Sequence, residues 1–289
     1  MIQAVVFQEN SKRSQVICEA MQQGIQACGD NASRVMAYKY PGRPSGDVAV
    51  FYGLKDGKDQ LMKDYVAMGR HVVFIDLGYW GRRWGPNRYE GFHRFSVDAR
   101  HCTKLVMLKQ QAPDRQAVFE LKVRKWQKPD KGHVLLAGMS RKSAHSYNWG
   151  EEEWEREAIV KIREATDRQI VYRPKPSWTG AKHLPDTRFS PKEERLKDVL
   201  KNCHAVVTHH SNVACDGLLA GVPAFLDDGI ALPLGTNNLA RLEDPVYPST
   251  EARQQWLNNA AYWQYTIAEM AAGVPWRFFK GLGLLGRKE

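Results

Sequence analysis

The feature that most constrains this chain is a rhythm: short apolar runs alternate with stretches of helical periodicity, and the pattern occurs twice. Residues 2–7 (IQAVVF), 34–38, 47–52 (DVAVFY) and 71–77 (HVVFIDL) read as strands. Between them, 12–28 sets Val16, Ile17, Met21 and Ile25 on one helical face, and 58–68 predicts a second helix. Runs that are apolar at nearly every position suit parallel strands buried on both faces. Pro41, Gly42, Pro44 and Gly46 punctuate a loop. Gly78 to His101, aromatic, basic and glycine-containing, predicts a long surface loop, and such loops in compact domains are often functional.

After WQKPDKG (126–132), which reads as a linker, the rhythm restarts. Strands are expected at 133–138, 169–173, 204–208 and 222–226, with helices at 151–165, 191–201 and 211–220. Glu151, Glu152 and Glu153 suit a helix start, where a negative charge meets the positive end of the dipole. In the tail, Trp256, Leu257, Ala260, Tyr262, Trp263, Ile267 and Met270 fall at mostly helical spacing. Right-handed crossovers turn each half into a Rossmann-like sheet covered by helices on both sides. The expected division is therefore α/β domains at 1–125 and 133–250, a linker at 126–132 and a helical tail at 251–289. Ligands of open α/β sheets bind beyond the strand ends, so a cleft between the two halves is expected.

Composition narrows the partners. With 43% hydrophobic residues the chain can build real cores, and no run reaches the roughly 18 to 20 apolar residues of a membrane span. Met1 to Asn10 reads as a strand and not as a signal peptide. Five scattered cysteines without a CxxC pair fit a reducing, cytoplasmic setting better than a disulfide framework or a zinc site. The formal charge of +10 favours acidic partners: nucleotide phosphates, nucleic acid or an anionic membrane face.

The most informative segment is HAVVTHHSNVACDGLLAGVPAFL, residues 204–226. A strand breaks at Thr208-His209-His210-Ser211-Asn212 and a helix begins at once, which points N–H groups and a positive dipole end at an anion. The same pattern also makes an ordinary Ser/Asn helix cap. Asp216 lies about one turn in, Gly221 ends the helix, and Pro223 fixes the start of the next strand. This segment resembles the donor-binding segment of GT-B glycosyltransferases, of the capsule or phage type. The resemblance implies two Rossmann-like domains facing across a cleft, with C-terminal helices crossing back to the first. It further implies a sugar moved from a nucleotide-diphosphate sugar, of UDP or GDP type, to a hydroxyl acceptor without an essential metal. His210, Ser211 and Asn212 would hold the phosphates and Asp216 the ribose or sugar. The family usually has Glu-Ala where this chain has Asp216-Gly217.

Other residues suit the same chemistry. Ser140 and Arg141, just past a strand end, and Arg173 and Lys175, in a proline-stiffened stretch, are candidate phosphate contacts. Asp76 is the first candidate for the base that removes the acceptor proton and Glu9 the second; His93 and Asp98 lie in the expected loop. Trp80, Arg82, Arg83 and Trp84 mix aromatics with arginines, which suits a nucleic-acid acceptor, such as a modified DNA base, or a glycan. No metal site stands out, and no GxGxxG follows the first strand, which argues against a dehydrogenase. Two rival readings remain: a UDP-sugar 2-epimerase, and a nucleic-acid-binding protein on a degenerate transferase scaffold.

Overall fold

A computed structural model describes residues 1–55, 57–178 and 180–286 and divides the chain into two compact units. One comprises Met1–Cys102 and the chain from Ala261 onward; the other is Thr103–Ala260. Residues 126–132 fall inside the second unit, where the Arg124 and Gln127 amides bond to the carbonyls of Leu219 and Gly221. The end of the expected tail, 287–289, lies outside the described residues.

The first unit is built on β1 (Gln3–Gln8), α1 (Lys12–Ala27), β2 (Asn31–Met36), β3 (Val48–Tyr52), α2 (Lys58–Ala67), β4 (His71–Leu77) and β5 (His93–Val97). With β11 (Gln264–Tyr265) from near the chain's end, its sheet has the order β11-β5-β4-β3-β1-β2, in which β1 to β4 are parallel. Ser11 caps α1 by accepting from the Ser14 amide, and Ile17, Met21 and Ile25 are buried while Val16 is half-exposed. Phe51, Phe74, Leu61 and Tyr65 form part of the core on one face of the sheet.

The expected loop from Gly78 to His101 is interrupted by β5, whose five residues are all buried and pair antiparallel with β4. HRFSV carries polar residues at three of five positions, so its burial was not legible locally. It is buried because β11 (Gln264–Tyr265), contributed by the chain's far end, closes its other side. The tail is thus helical with a strand inside it.

The second unit contains α3 (Asp114–Ala117), β6 (His133–Ala137), α4 (Arg141–Ser146), α5 (Glu153–Ala165), β7 (Ile170–Arg173), β8 (Arg188–Phe189), α6 (Leu196–Val199), β9 (Cys203–Thr208), α7 (Val213–Ala220), β10 (Ala224–Leu226) and α8 (Thr250–Ala261). Its parallel sheet has the order β10-β9-β6-β7-β8. Val134, Leu136, Val207 and Phe225 pack against α5 on one face; Leu135, Val171 and Val206 pack on the other with Val199 and Val222. The helix expected at 191–201 is shortened to Leu196–Val199, because the charged run before it forms a turn in which the Glu194 amide bonds to Pro191 O. After α8 the chain returns to the first unit as α9 (Ile267–Ala271) and α10 (Val274–Gly281). Among the described residues no helix is long and apolar enough to cross a membrane.

Candidate functional site

At the carboxy edge of the second sheet, β9 ends in Thr208, whose hydroxyl donates to Ala137 O (2.8 Å) and accepts from the Ser211 amide (3.3 Å). These bonds tie the turn 208–212 to the end of β6. The carbonyl of His209 accepts from the amides of Asp227 (3.1 Å) and Asp228 (2.8 Å), which fastens the turn to the end of β10 as well. Ser211 Oγ accepts from the Val213 amide (3.3 Å), so this hydroxyl faces the first turn of α7. Asn212 holds the N-cap position without a side-chain capping bond. Gly217 is required by close approach: a Cβ there would lie 2.9 Å from Val206 Cγ2. That contact is a physical reason for glycine where the resembling family has alanine.

The two histidines are organised by neighbours that sequence reasoning missed. His209 and His210 share an Nδ1–Nδ1 hydrogen bond of 2.9 Å, so one imidazole donates through Nδ1 and the other accepts there. Tyr147, just past α4, stacks on His210 with centroids 5.1 Å apart and 28° between planes, and its ring lies 4.4 Å from that of His209. The Tyr147 hydroxyl donates to Asp228 (3.2 Å), and the Trp154 indole donates to Asp227 (2.9 Å). Asp227-Asp228 is therefore a strand-end turn that orients aromatic rings. Tyr147 and Trp154 lie more than fifty residues before the histidines, and no local pattern links them.

The remaining donor candidates are dispersed. Ser140 caps α4: its Oγ accepts from the Ser143 amide at 3.1 Å. Ser140 and Arg141 thus stand at the start of a short helix and not in an open loop. Arg141 is 71% exposed at the side chain and paired with Glu151. Arg173 is buried, and its Nη1 donates to Ser190 Oγ (2.8 Å) and Pro191 O (3.2 Å), so its charge is directed into the fold. Lys175 is exposed on the following turn. Asp216 is half-exposed in the first turn of α7.

Beneath the turn after β6 lies a buried carboxyl. Glu155 accepts from the Met139 amide (2.6 Å), and a Cβ on Gly138 would meet Glu155 Oε1 at 3.0 Å. Burial pushes the Glu155 carboxyl above its ordinary range, and neighbouring Glu152 adds to the effect. The native state then holds this proton more tightly than the unfolded chain, so stability falls as pH rises from the ordinary carboxylate range through the raised value. Glu155→Gln keeps the acceptor oxygen and removes the buried charge. It should be more stable than wild type at neutral pH, with the gap closing toward pH about 4. Urea unfolding at several pH values checks this; a gap independent of pH would mean that the charge is not the cause.

In the first unit the two base candidates are both ion-paired. Asp76, 38% exposed at the side chain, accepts from Arg94 Nη2 at 3.1 Å. Glu9 is 10% exposed at the side chain and pairs with the fully buried Lys58. His93 is buried, and burial and the Arg13 charge pull its pKa down to about 4. Asp98 lies just past β5 and binds the His71 ring and the Val72 amide. The aromatic-arginine loop divides: Trp80 is buried with its amide on Gln264, and Arg82 Nε binds Gly78 O. Arg83, paired with Glu90 at 3.7 Å, and Trp84, 70% exposed, face solvent. Among the described residues no cluster of three or more His, Cys, Asp or Glu side chains is placed to hold a metal ion.

No family model and no curated protein matches the chain. Solved structures do. The beta Kdo 2,4 transferase of KpsC from Thermosulfurimonas dismutans is similar over 99% of this chain and 98% of its own, at 15% identity and a TM-score of 0.55. The beta Kdo 2,7 transferase of the same protein is similar over 96% and 99%, at 13% identity and a TM-score of 0.51. Likeness at these identities defines the fold. The chain has a GT-B-like fold of two Rossmann-like units.

Proposed function

We propose that this protein transfers a sugar from a nucleotide-activated donor, of UDP or GDP type, to a hydroxyl acceptor. The observation that supports this most is the turn 208–212. It is pinned to the ends of β6 and β10, carries Ser211 and a hydrogen-bonded histidine pair on which Tyr147 stacks through His210, and opens α7. A helix start of this kind holds phosphate oxygens through its N–H groups, Ser211 and His210. The same groups stabilise charge on the departing phosphates, the point at which electrostatic catalysis acts. Asn212 contributes an uncommitted capping position, and Asp216 takes the ribose or sugar hydroxyls. Ser140 and Lys175 are the weaker contacts, and the internal bonds of Arg173 leave Arg141 as the better countercharge. Catalysis needs no metal in this reading.

Asp76 is the acceptor base ahead of Glu9, because its side chain is the more exposed of the two. Arg83 and Trp84 face solvent and are the acceptor contacts; Trp80 and Arg82 support the loop that carries them. Their chemistry suits a glycan or a modified base in DNA. Five free cysteines, four of them buried, are compatible with a cytoplasmic setting.

Thermal stabilisation by UDP, GDP and their sugars, with and without duplex DNA, tests the reading. A nucleotide that raises Tm for the wild type should lose at least tenfold in affinity in Ser211→Ala, with the ligand-free Tm nearly unchanged. Unaltered nucleotide affinity in both Ser211→Ala and Arg141→Ala would displace the site. A salt-sensitive shift with DNA and none with any nucleotide would favour the binding-protein reading.

A further inference from the structure

We propose that the second unit carries a carbohydrate subsite beside the phosphate contacts of the turn 208–212, in a cavity of about 300 Å³ beneath α5 that Thr208 and His209 also line. The cavity lies between α5, the ends of β9 and β10, and residues 237–239. Its size is at the lower end of small-ligand pockets, enough for one ring rather than a whole nucleotide sugar.

Three properties of the lining specify the ligand. The floor is apolar and rigid, formed by Val207 and Phe225, which belong to the core. Two indoles complete it: Trp154 is fixed by its bond to Asp227 and lies at 70° to the His209 ring, and Trp149 packs on the same core cluster. The rim carries a carboxylate, an ammonium and an amide: Glu157 and Lys161, 3.8 Å apart on one face of α5, and Asn237. A pyranose matches this combination. Its C–H face covers aromatic and aliphatic surface, and each hydroxyl both donates and accepts, so it uses a carboxylate, an ammonium and an amide together. Asp227 and Glu157 offset Lys161, so the lining has no surplus of positive charge to hold a phosphate. Nucleotide phosphates are thereby directed to the turn and a neutral sugar to the cavity. The subsite adjoins the turn, but its rim side chains, Glu157, Lys161 and Asn237, are not among the proposed phosphate contacts, so the two can be tested separately.

Saturation-transfer NMR on the full chain, with methyl glucoside, N-acetylglucosamine and their short oligomers as probes, tests the inference. Uridine, cytidine and guanosine serve as the competing class. Binding of at least one saccharide should weaken tenfold or more in Asn237→Ala, whose side chain is exposed and whose loss leaves the core intact. Trp149→Ala, checked for an unchanged fold by circular dichroism, should act likewise, while Ser211→Ala should leave saccharide binding as in wild type. Nucleosides bound in place of saccharides, with the same sensitivity to Asn237→Ala, would overturn the proposal by making the cavity a base pocket. No saccharide signal, or a signal indifferent to both variants, would overturn it too. Nucleotide affinity of Ser211→Ala reports on the donor reading alone, so the two failures are distinguishable.

Discussion

Lys58→Met should lower the unfolding free energy by about 3–5 kcal/mol, among the largest single-residue effects expected in this protein. The Lys58 side chain is completely buried, and its ammonium holds Glu9 and the carbonyl of Tyr52. Methionine fills similar volume and removes the charge, so packing changes little while the Glu9 carboxylate stays in a site with little water and no counterion. Breaking a buried pair from one side costs more than the pair itself contributes, because the remaining charge keeps its desolvation penalty. The double variant Lys58→Met/Glu9→Gln should therefore recover most of the loss. Urea unfolding of the wild type, both single variants and the double variant measures the coupling. A single-variant loss below about 1 kcal/mol, the range of a surface pair, would show that water reaches this site in solution. The pair also bears on catalysis: the Glu9 side chain is 10% exposed and that of Asp76 38%, so an acceptor hydroxyl reaches Asp76 more readily.

The second large effect is expected at Gly24, in the last turn of α1. Replacing a glycine within a helix by alanine ordinarily stabilises it by roughly 0.5–1 kcal/mol. Here the sign should reverse. A Cβ on Gly24 would lie 1.9 Å from Met270 O and 2.9 Å from the Gly273 amide nitrogen, and both are backbone atoms of the returning tail. Backbone cannot swing aside as a flexible side chain can, so α9 must lift from α1. Gly24→Ala should cost about 1–3 kcal/mol net, as overpacking generally does. Amide hydrogen exchange gives the sharper readout: protection should fall across residues 267–281 and change little in β6 and β9. Uniform loss of protection throughout the chain would mean that the tail does not detach as a separate element. Met270 and Trp276 are fully buried in the first unit, so a lifted tail also exposes large apolar surface.

Sequence alone determined the double α/β rhythm and the place of the turn 208–212. Both follow from local chemistry. HVVFIDL is apolar over four consecutive positions, Val72 to Ile75, because both faces of β4 are covered, and such a run has few alternatives to a buried parallel strand. The break at Thr208 to Asn212 was legible because it combines an apolar strand, polar turn residues and a helix closed by Gly221 within 23 residues. The resemblance of that stretch to GT-B proteins agrees with the observed fold.

Tertiary structure alone decided what lay far apart in the chain. β5 escaped notice because His93, Arg94 and Ser96 carry no strand signal by themselves; their burial comes from β11, about 170 residues later. The helix expected at 191–201 shrank because its first half is a charged turn, where helical periodicity had no core to face. The candidate side chains followed the same logic. Arg173 and Arg141 look alike as basic residues beside strand ends, yet one bonds into the fold at Ser190 and the other stands in solvent beside Glu151. Tyr147, Trp154 and the aspartates that orient them come together only when α4, α5 and β10 meet the end of β9. Periodicity reports which face of an element is buried, but the direction of a long polar side chain depends on the partner opposite it. That partner is supplied by the fold.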